Sequence, residues 1–283
     1  MKSLGLACVG GGTKAASNIG VIKALLDNNI SISAISGTSI GSIVAVMYAL
    51  GFSTDEMIEK LKYYTVVYPK YGFKDKITAP FRLLARGGGK NPREITTTIN
   101  NLLKDKEEKV MSDIKMPLFI PTLDITNKKT VYYSSKEING EECYLDRPIA
   151  EAIKNTSSLP LIFTPNTVYI NGEMHQFLDG GMTNNTPTTH LNKFADIVVG
   201  VENEYHKEVN SKKVNLVTGI RNTFQGMRRS AVTFQKKDAN FWILVDCEDV
   251  DIIGTPDQIT KCYEAGYNTA MKNIDELKKL LSE

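Results

Sequence analysis

Leu4-Gly5-Leu6-Ala7-Cys8-Val9 runs directly into Gly10-Gly11-Gly12-Thr13-Lys14, and the apolar run from Ile30 to Ser36 opens in the same way into Gly37-Thr38-Ser39-Ile40-Gly41. Each apolar run has the length of a strand buried on both faces. Each is broken by glycines, which punctuate regular structure. A helix follows each break. In the first, Ile19, Ile22, Leu25 and Leu26 fall on one face, and Asn28-Asn29 stops it. In the second, Ile40, Ile43, Val44, Met47 and Leu50 alternate with Ser42, Ala45 and Ala49, so the helix is apolar nearly all round and belongs in the core. Gly51 is placed to cap its C-terminus. Strand, helix, strand, helix within fifty residues predicts an α/β fold, with a central mostly parallel sheet flanked by helices.

Working outward, Ser53-Thr54-Asp55-Glu56 forms a capping box that opens a third helix. From Lys60 to Arg93 the periodicity degrades. That stretch holds nine Lys or Arg against one acid, Asp75, together with six aromatic residues. It is either a solvated helix and loop or a surface for an anionic interface. Further strands are expected over 116–123, 129–134, 197–201 and 241–245, and short helices over 92–104 and 149–155. A hairpin is expected over 168–178, turning at Asn171-Gly172. A final helix begins at Thr255-Pro256-Asp257-Gln258 and carries an apolar stripe from Ile259 through Ile274 to Leu281. No repeat or linker interrupts the chain, so one domain over 1–283 is expected, with a basic and aromatic cap-like segment at about 52–110.

The composition narrows the function. The 283 residues carry 34 basic against 32 acidic side chains, a balance that does not suggest a nucleic-acid partner. No uncharged apolar stretch is long enough to span a bilayer. The N-terminal apolar run is short and reads as a buried strand, not a signal peptide. Cys8, Cys143, Cys247 and Cys262 lie far apart without a Cys-x-x-Cys pair, which fits reduced packing residues of a cytoplasmic protein. No His/Cys/Asp cluster has metal-ligand spacing, and no cofactor is implied.

Two motifs carry chemistry. Gly37-Thr38-Ser39-Ile40-Gly41 is a Gly-x-Ser-x-Gly pattern between a buried strand and a buried helix, the setting in which a sharp turn lifts a serine hydroxyl clear of the backbone. The loop Gly10-Gly11-Gly12-Thr13-Lys14 presents backbone N–H groups at a helix start. Gly10, Gly12 and Ala15 also satisfy a dinucleotide fingerprint, but that pattern wants an acid at the end of the next strand, and the nearest, Asp27, lies earlier. With Ser39 nearby, an oxyanion hole is the better reading. Asp179-Gly180-Gly181 alone would be a turn after the hairpin. His175, His190 and His206 are read as surface or structural residues, because Ser39 comes too early in the chain for an α/β-hydrolase triad.

Taken together, Gly10-Gly11-Gly12-Thr13-Lys14, Gly37-Thr38-Ser39-Ile40-Gly41 and Asp179-Gly180-Gly181 resemble the motifs of the patatin-like phospholipases, over roughly residues 4–200. The likeness extends to residues 19–25, to 157–163 and to Asn184-Asn185-Thr186-Pro187. The resemblance implies a three-layer α/β architecture and a lipid acyl hydrolase. It implies Ser39 as nucleophile, Asp179 as base, and amides of Gly10, Gly11, Gly12, Thr13 and Lys14 as the oxyanion hole. The implied substrate is a lipid or lysolipid, with peripheral membrane contact through the stretch from Lys60 to Arg93. The same site would also serve an acyltransferase, and a catalytically silent lipid-binding protein is the rival from another class. Ala15 departs from the family's usual glycine. It would be strained at positive φ and harmless at negative φ.

Overall fold

The computed structural model describes residues 1–67, 88–90, 93–204, 216–247 and 250–283. Most of the stretch from Lys60 to Arg93, the expected cap-like segment around it, and His206 therefore lie wholly or partly outside the described residues.

Five strands form a continuous parallel array. In spatial order they are β11 (Phe241–Val245), β10 (Ile197–Asn203), β1 (Leu4–Cys8), β2 (Ile32–Gly37) and β4 (Leu118–Asp124). Beyond β4, the antiparallel β5 (Lys129–Ser134) and then β6 (Cys143–Tyr144) complete that side. The hairpin β8 (Asn166–Ile170) and β9 (Glu173–Leu178) turns where expected, with Asn171 and Gly172 both at positive φ. Two short parallel strands, β3 (Gly88–Lys90) and β7 (Leu161–Phe163), pair apart from the main sheet.

Alternation along the strands sorts side chains between two faces. Leu4, Leu6 and Cys8 of β1, Ile197, Val199 and Val201 of β10, and Leu118 and Ile120 of β4 enter one large core. Ala7, Val198 and Phe119 turn the other way, into a smaller cluster with Leu191 and Tyr132. The large core takes in α1 (Ser17–Asp27), α2 (Ile40–Ala49), α3 (Thr54–Val67), α4 (Arg93–Leu102), α5 (Ile149–Thr156), α7 (Pro256–Lys272) and α8 (Ile274–Ser282). As expected, α2 is central, with seven of its ten residues buried.

Two expectations need correction. Leu26 does not share the buried face of α1 but is 41% exposed, and Val21 and Ala24 are buried there instead. The last helix is two helices, because the chain breaks at Asn273, which leaves helical geometry and lets α8 fold Leu277 and Leu281 into the core. Its start is as expected, with Thr255 and Gln258 reciprocally bonded. All four cysteines are free thiols, and Cys247 and Cys262, distant in sequence, lie near enough in space for each thiol to act on the other. A long helix, α6 (Leu216–Gln235), was not foreseen, since its polar sequence hides a narrow inward stripe.

Strand order brings two chain reversals to one place. Along one edge of β4, Leu118 and Phe119 pair with Ile35 and Ser36 of parallel β2. Farther along, Leu123 and Asp124 pair with Leu178 and Phe177 of antiparallel β9. The ends of β2 and β9 therefore approach each other head-on. The residues just past those ends, Ser39 and Asp179, meet in the gap between them.

Candidate active site

Ser39 stands between β2 and α2 with φ 53° and ψ −130°, a conformation a non-glycine residue adopts only when its surroundings impose it. The flanking glycines explain how. A Cβ on Gly37 would lie 2.4 Å from the Gly41 carbonyl oxygen, and one on Gly41 would lie 2.5 Å from that of Val9. Only glycine lets the turn close this tightly. Hydrogen bonds hold it closed: Thr38 Oγ1 donates to the Asn184 carbonyl at 2.6 Å, and the Ser39 amide donates to Thr156 Oγ1 at 3.2 Å. Thr156 Oγ1 is itself tied to the Pro121 carbonyl of β4 at 2.6 Å. Ser39 precedes the first turn of α2, where the positive end of the helix favours developing negative charge.

The Asp179 carboxylate faces the same cavity as Ser39, near enough for the hydroxyl to favour its charged form. Asp179 is 2% exposed, and its Oδ1 also accepts the Gly181 amide at 2.7 Å. Its own amide donates to the Ser158 carbonyl at 3.0 Å, which ties Asp179 to the segment after α5. Burial pushes the Asp179 carboxyl above the ordinary carboxylate range. The Arg228 charge, the Gly181 amide and the Ser39 hydroxyl pull against that rise without cancelling it.

The glycine loop expected to form an oxyanion hole borders the cavity, but not all its amides are available. The Gly10 amide donates to the Asn185 carbonyl at 3.0 Å, and the Thr13 amide to the Ile252 carbonyl at 2.9 Å. Lys14 falls within the 3₁₀ turn Gly12–Ala16, and its Nζ donates to the Glu204 carbonyl at 3.4 Å. Gly10, Thr13 and Lys14 thus support the loop. Gly11 and Gly12, at φ 152° and 62°, line the cavity beside Ser39, and their amides have no partner among the described residues. A Cβ on Gly12 would lie 2.1 Å from the Ile252 oxygen. Ala15 is buried and not at positive φ, so its departure from glycine leaves the loop unstrained.

Ser39, Asp179, Gly11 and Gly12 share one cavity of about 660 Å³. Leu61, Leu159, Ile162, Phe163, Val232 and Ile253 supply much of its apolar wall. Lys14, Arg228 and Arg229 bring positive charge to its lining, and Glu202 and Asp251 negative.

The two histidines among the described residues lie elsewhere. His175 is buried with Nδ1 2.8 Å from Asp124 Oδ2, at the far end of β4. His190 packs edge-on against the Tyr132 ring, with Nε2 3.4 Å from Glu141, and burial lowers its pKa. Of the basic stretch, Lys60 donates to the Leu102 carbonyl at 2.8 Å and Tyr64 is buried at the cavity wall, so both serve the fold. Among the described residues no group of three or more His, Cys, Asp or Glu could hold a metal. Nor is any helix among them long and apolar enough to cross a membrane. Sequence reading missed Arg228, which lies on a helix it did not foresee, and the bridging role of Asn185, whose motif it noted without assigning a task.

A serine on a strained strand-to-helix turn thus shares one cavity with a buried aspartate and a glycine loop in an α/β fold. The sequence model of the patatin-like phospholipases matches residues 6–192, and the chain belongs to that family. Protein R571 of Acanthamoeba polyphaga mimivirus is 29% identical over 215 residues, 72% of this chain and 66% of that protein. Neuropathy target esterase sws of Drosophila melanogaster is 25% identical over 185 residues, 65% of this chain but only 12% of the esterase. The chain thus spans just under two thirds of the viral protein and a small part of the esterase. Human GIVD cytosolic phospholipase A2 shares the fold, with a TM-score of 0.53 at 11% identity, covering 99% of this chain and 59% of that one.

Proposed function

We propose that this protein is a serine lipid acyl hydrolase working through a Ser39–Asp179 dyad. The observation that carries the proposal is the placement of Ser39, on its strained turn, and the buried Asp179 carboxylate together at one largely apolar cavity. Ser39 Oγ attacks the acyl carbonyl as its proton passes to Asp179. The carbonyl oxygen becomes an oxyanion held by the Gly11 and Gly12 amides. The tetrahedral intermediate collapses, the alcohol leaves with the proton from Asp179, and an acyl-serine remains. Water then passes a proton to Asp179 as it attacks the acyl-serine; the second tetrahedral intermediate collapses, Asp179 returns the proton to Ser39 Oγ, and the fatty acid is released. The apolar wall suits an acyl chain, and the volume falls in the range of small-molecule sites.

The test is a panel of phospholipids, lysophospholipids, monoacylglycerols and p-nitrophenyl esters, assayed with wild type and Ser39→Ala. The proposal expects release of free fatty acid from at least one lipid class by wild type and none by the variant. Equal release by both would refute it.

A further inference from the structure

Arg228 lies on α6, beyond the residues that the family model matches. Its Nη2 donates to Asn185 Oδ1 at 2.7 Å and its Nε to the same oxygen at 3.2 Å. Asn185 in turn grips the glycine loop: it accepts the Gly10 amide at its carbonyl, and its Nδ2 donates to the Gly10 carbonyl at 3.5 Å. The same guanidinium lies near Asp179: a Cβ on Gly181 would lie 2.8 Å from Asn185 Oδ1, 2.9 Å from Asp179 Oδ1 and 3.2 Å from Arg228 Nε, so amide, carboxylate and charge converge on the space that Gly181 leaves open.

We propose that Arg228 is a positioning residue of the dyad, setting the Asp179 carboxylate toward Ser39 across Gly181 while clamping Asn185 against the glycine loop. This rests on the dyad reading above. A carboxylate buried beside a serine needs a compensating charge if it is to stay ionised and accept a proton. Lys14, Glu202, Arg229 and Asp251 also line the cavity, yet Arg228 is the charged group that acts on Asp179. A planar fork suits both tasks, because it bonds Asn185 through two nitrogens while its delocalised charge faces the base.

Arg228→Met and Arg228→Lys separate the charge from the fork. Titration of the Asp179 carboxyl by carbon NMR reads the charge without needing turnover. With Arg228→Met the midpoint is expected to rise by about 1 or more. The acidic limb of kcat/KM should move the same way, and kcat should fall roughly 10-fold or more with KM little changed. Arg228→Lys should keep the limb near that of wild type and recover only part of kcat. An unchanged midpoint in folded Arg228→Met would overturn the proposal. So would a loss confined to KM, which would mark a substrate ligand. If circular dichroism shows the methionine variant unfolded, wild-type kcat in Arg228→Lys would overturn the clamp on Asn185. Failure of the dyad itself would show separately, as hydrolysis surviving in Ser39→Ala.

Discussion

Asp179 is placed where a carboxylate is costly. It is buried, and the folded protein holds its proton more tightly than an unfolded chain does. A group with a raised folded pKa binds more protons folded than unfolded, so stability falls as pH climbs from the ordinary carboxylate range through the raised value. Asp179→Asn keeps an oxygen for the Gly181 amide but removes the ionisation. It should therefore melt higher than wild type at pH 7, with the gain shrinking toward zero as pH drops below the ordinary carboxylate range. It should also lose hydrolysis by about 10³-fold or more. Melting curves from pH 3 to 8 check the first half, and a variant less stable than wild type at every pH would contradict it. The acidic limb of wild-type kcat/KM should lie above the usual Asp range and persist in His175→Ala and His190→Ala.

At the scale of elements, the glycine loop and the end of β4 make opposite demands. Gly12 sits at φ 62° against the Ile252 carbonyl, so Gly12→Val should remove most turnover. Loss of one oxyanion donor typically costs roughly 2.7–4 kcal/mol. Ala15→Gly should leave kcat near wild type, because Ala15 already fits the 3₁₀ turn, and should cost only about 0.5–1 kcal/mol of stability. Full activity in a folded Gly12→Val would exclude this loop as the oxyanion hole. Asp124, at the other end of β4, serves the fold. Burial pushes its carboxyl up, but bonds from His175, Asn127 and Thr126 more than offset that and hold it below the usual range. Its contribution is present above the ordinary carboxylate range and is lost as pH falls through the folded value. Asp124→Asn should cost about 1–3 kcal/mol at pH 7 while sparing kcat. Urea unfolding at pH 7 and pH 4 measures both the cost and its fading with acid.

Across the whole molecule, what could be read from the sequence depended on how local the signal was. The elbow was legible because its Gly-x-Ser-x-Gly pattern is contiguous in sequence, with Gly37 demanded from within the unit and Gly41 by Val9 just past β1, and α2 because it is apolar on every side. The strands of the parallel sheet were legible as short apolar runs. The meeting of Ser39 with Asp179 was not, since it follows from β2 and β9 sharing an edge of β4, and only the family resemblance anticipated it. Arg228 and α6 were hidden because, of the inward residues Arg228, Val232 and Gln235, only Val232 is apolar, so periodicity gives no contrast. The split at Asn273 was missed because the apolar spacing continues across it. The basic stretch from Lys60 to Arg93 carries a prediction at this scale too. If it meets an anionic surface, pelleting with phosphatidylserine vesicles should weaken as salt rises. Charge reversal at Lys70, Lys74 and Lys76 should weaken it further, each basic residue being worth about 1 kcal/mol. Salt-independent pelleting, or none, would remove the idea.

The central claim is that Ser39 is a nucleophile activated by Asp179. A long-chain fluorophosphonate bonds to such a serine, and peptide mass spectrometry locates the adduct. The account predicts one adduct, on Ser39, absent in Ser39→Ala and at least about 10²-fold slower in Asp179→Asn. An adduct elsewhere, or one that forms on Ser39 at the wild-type rate without Asp179, would contradict it.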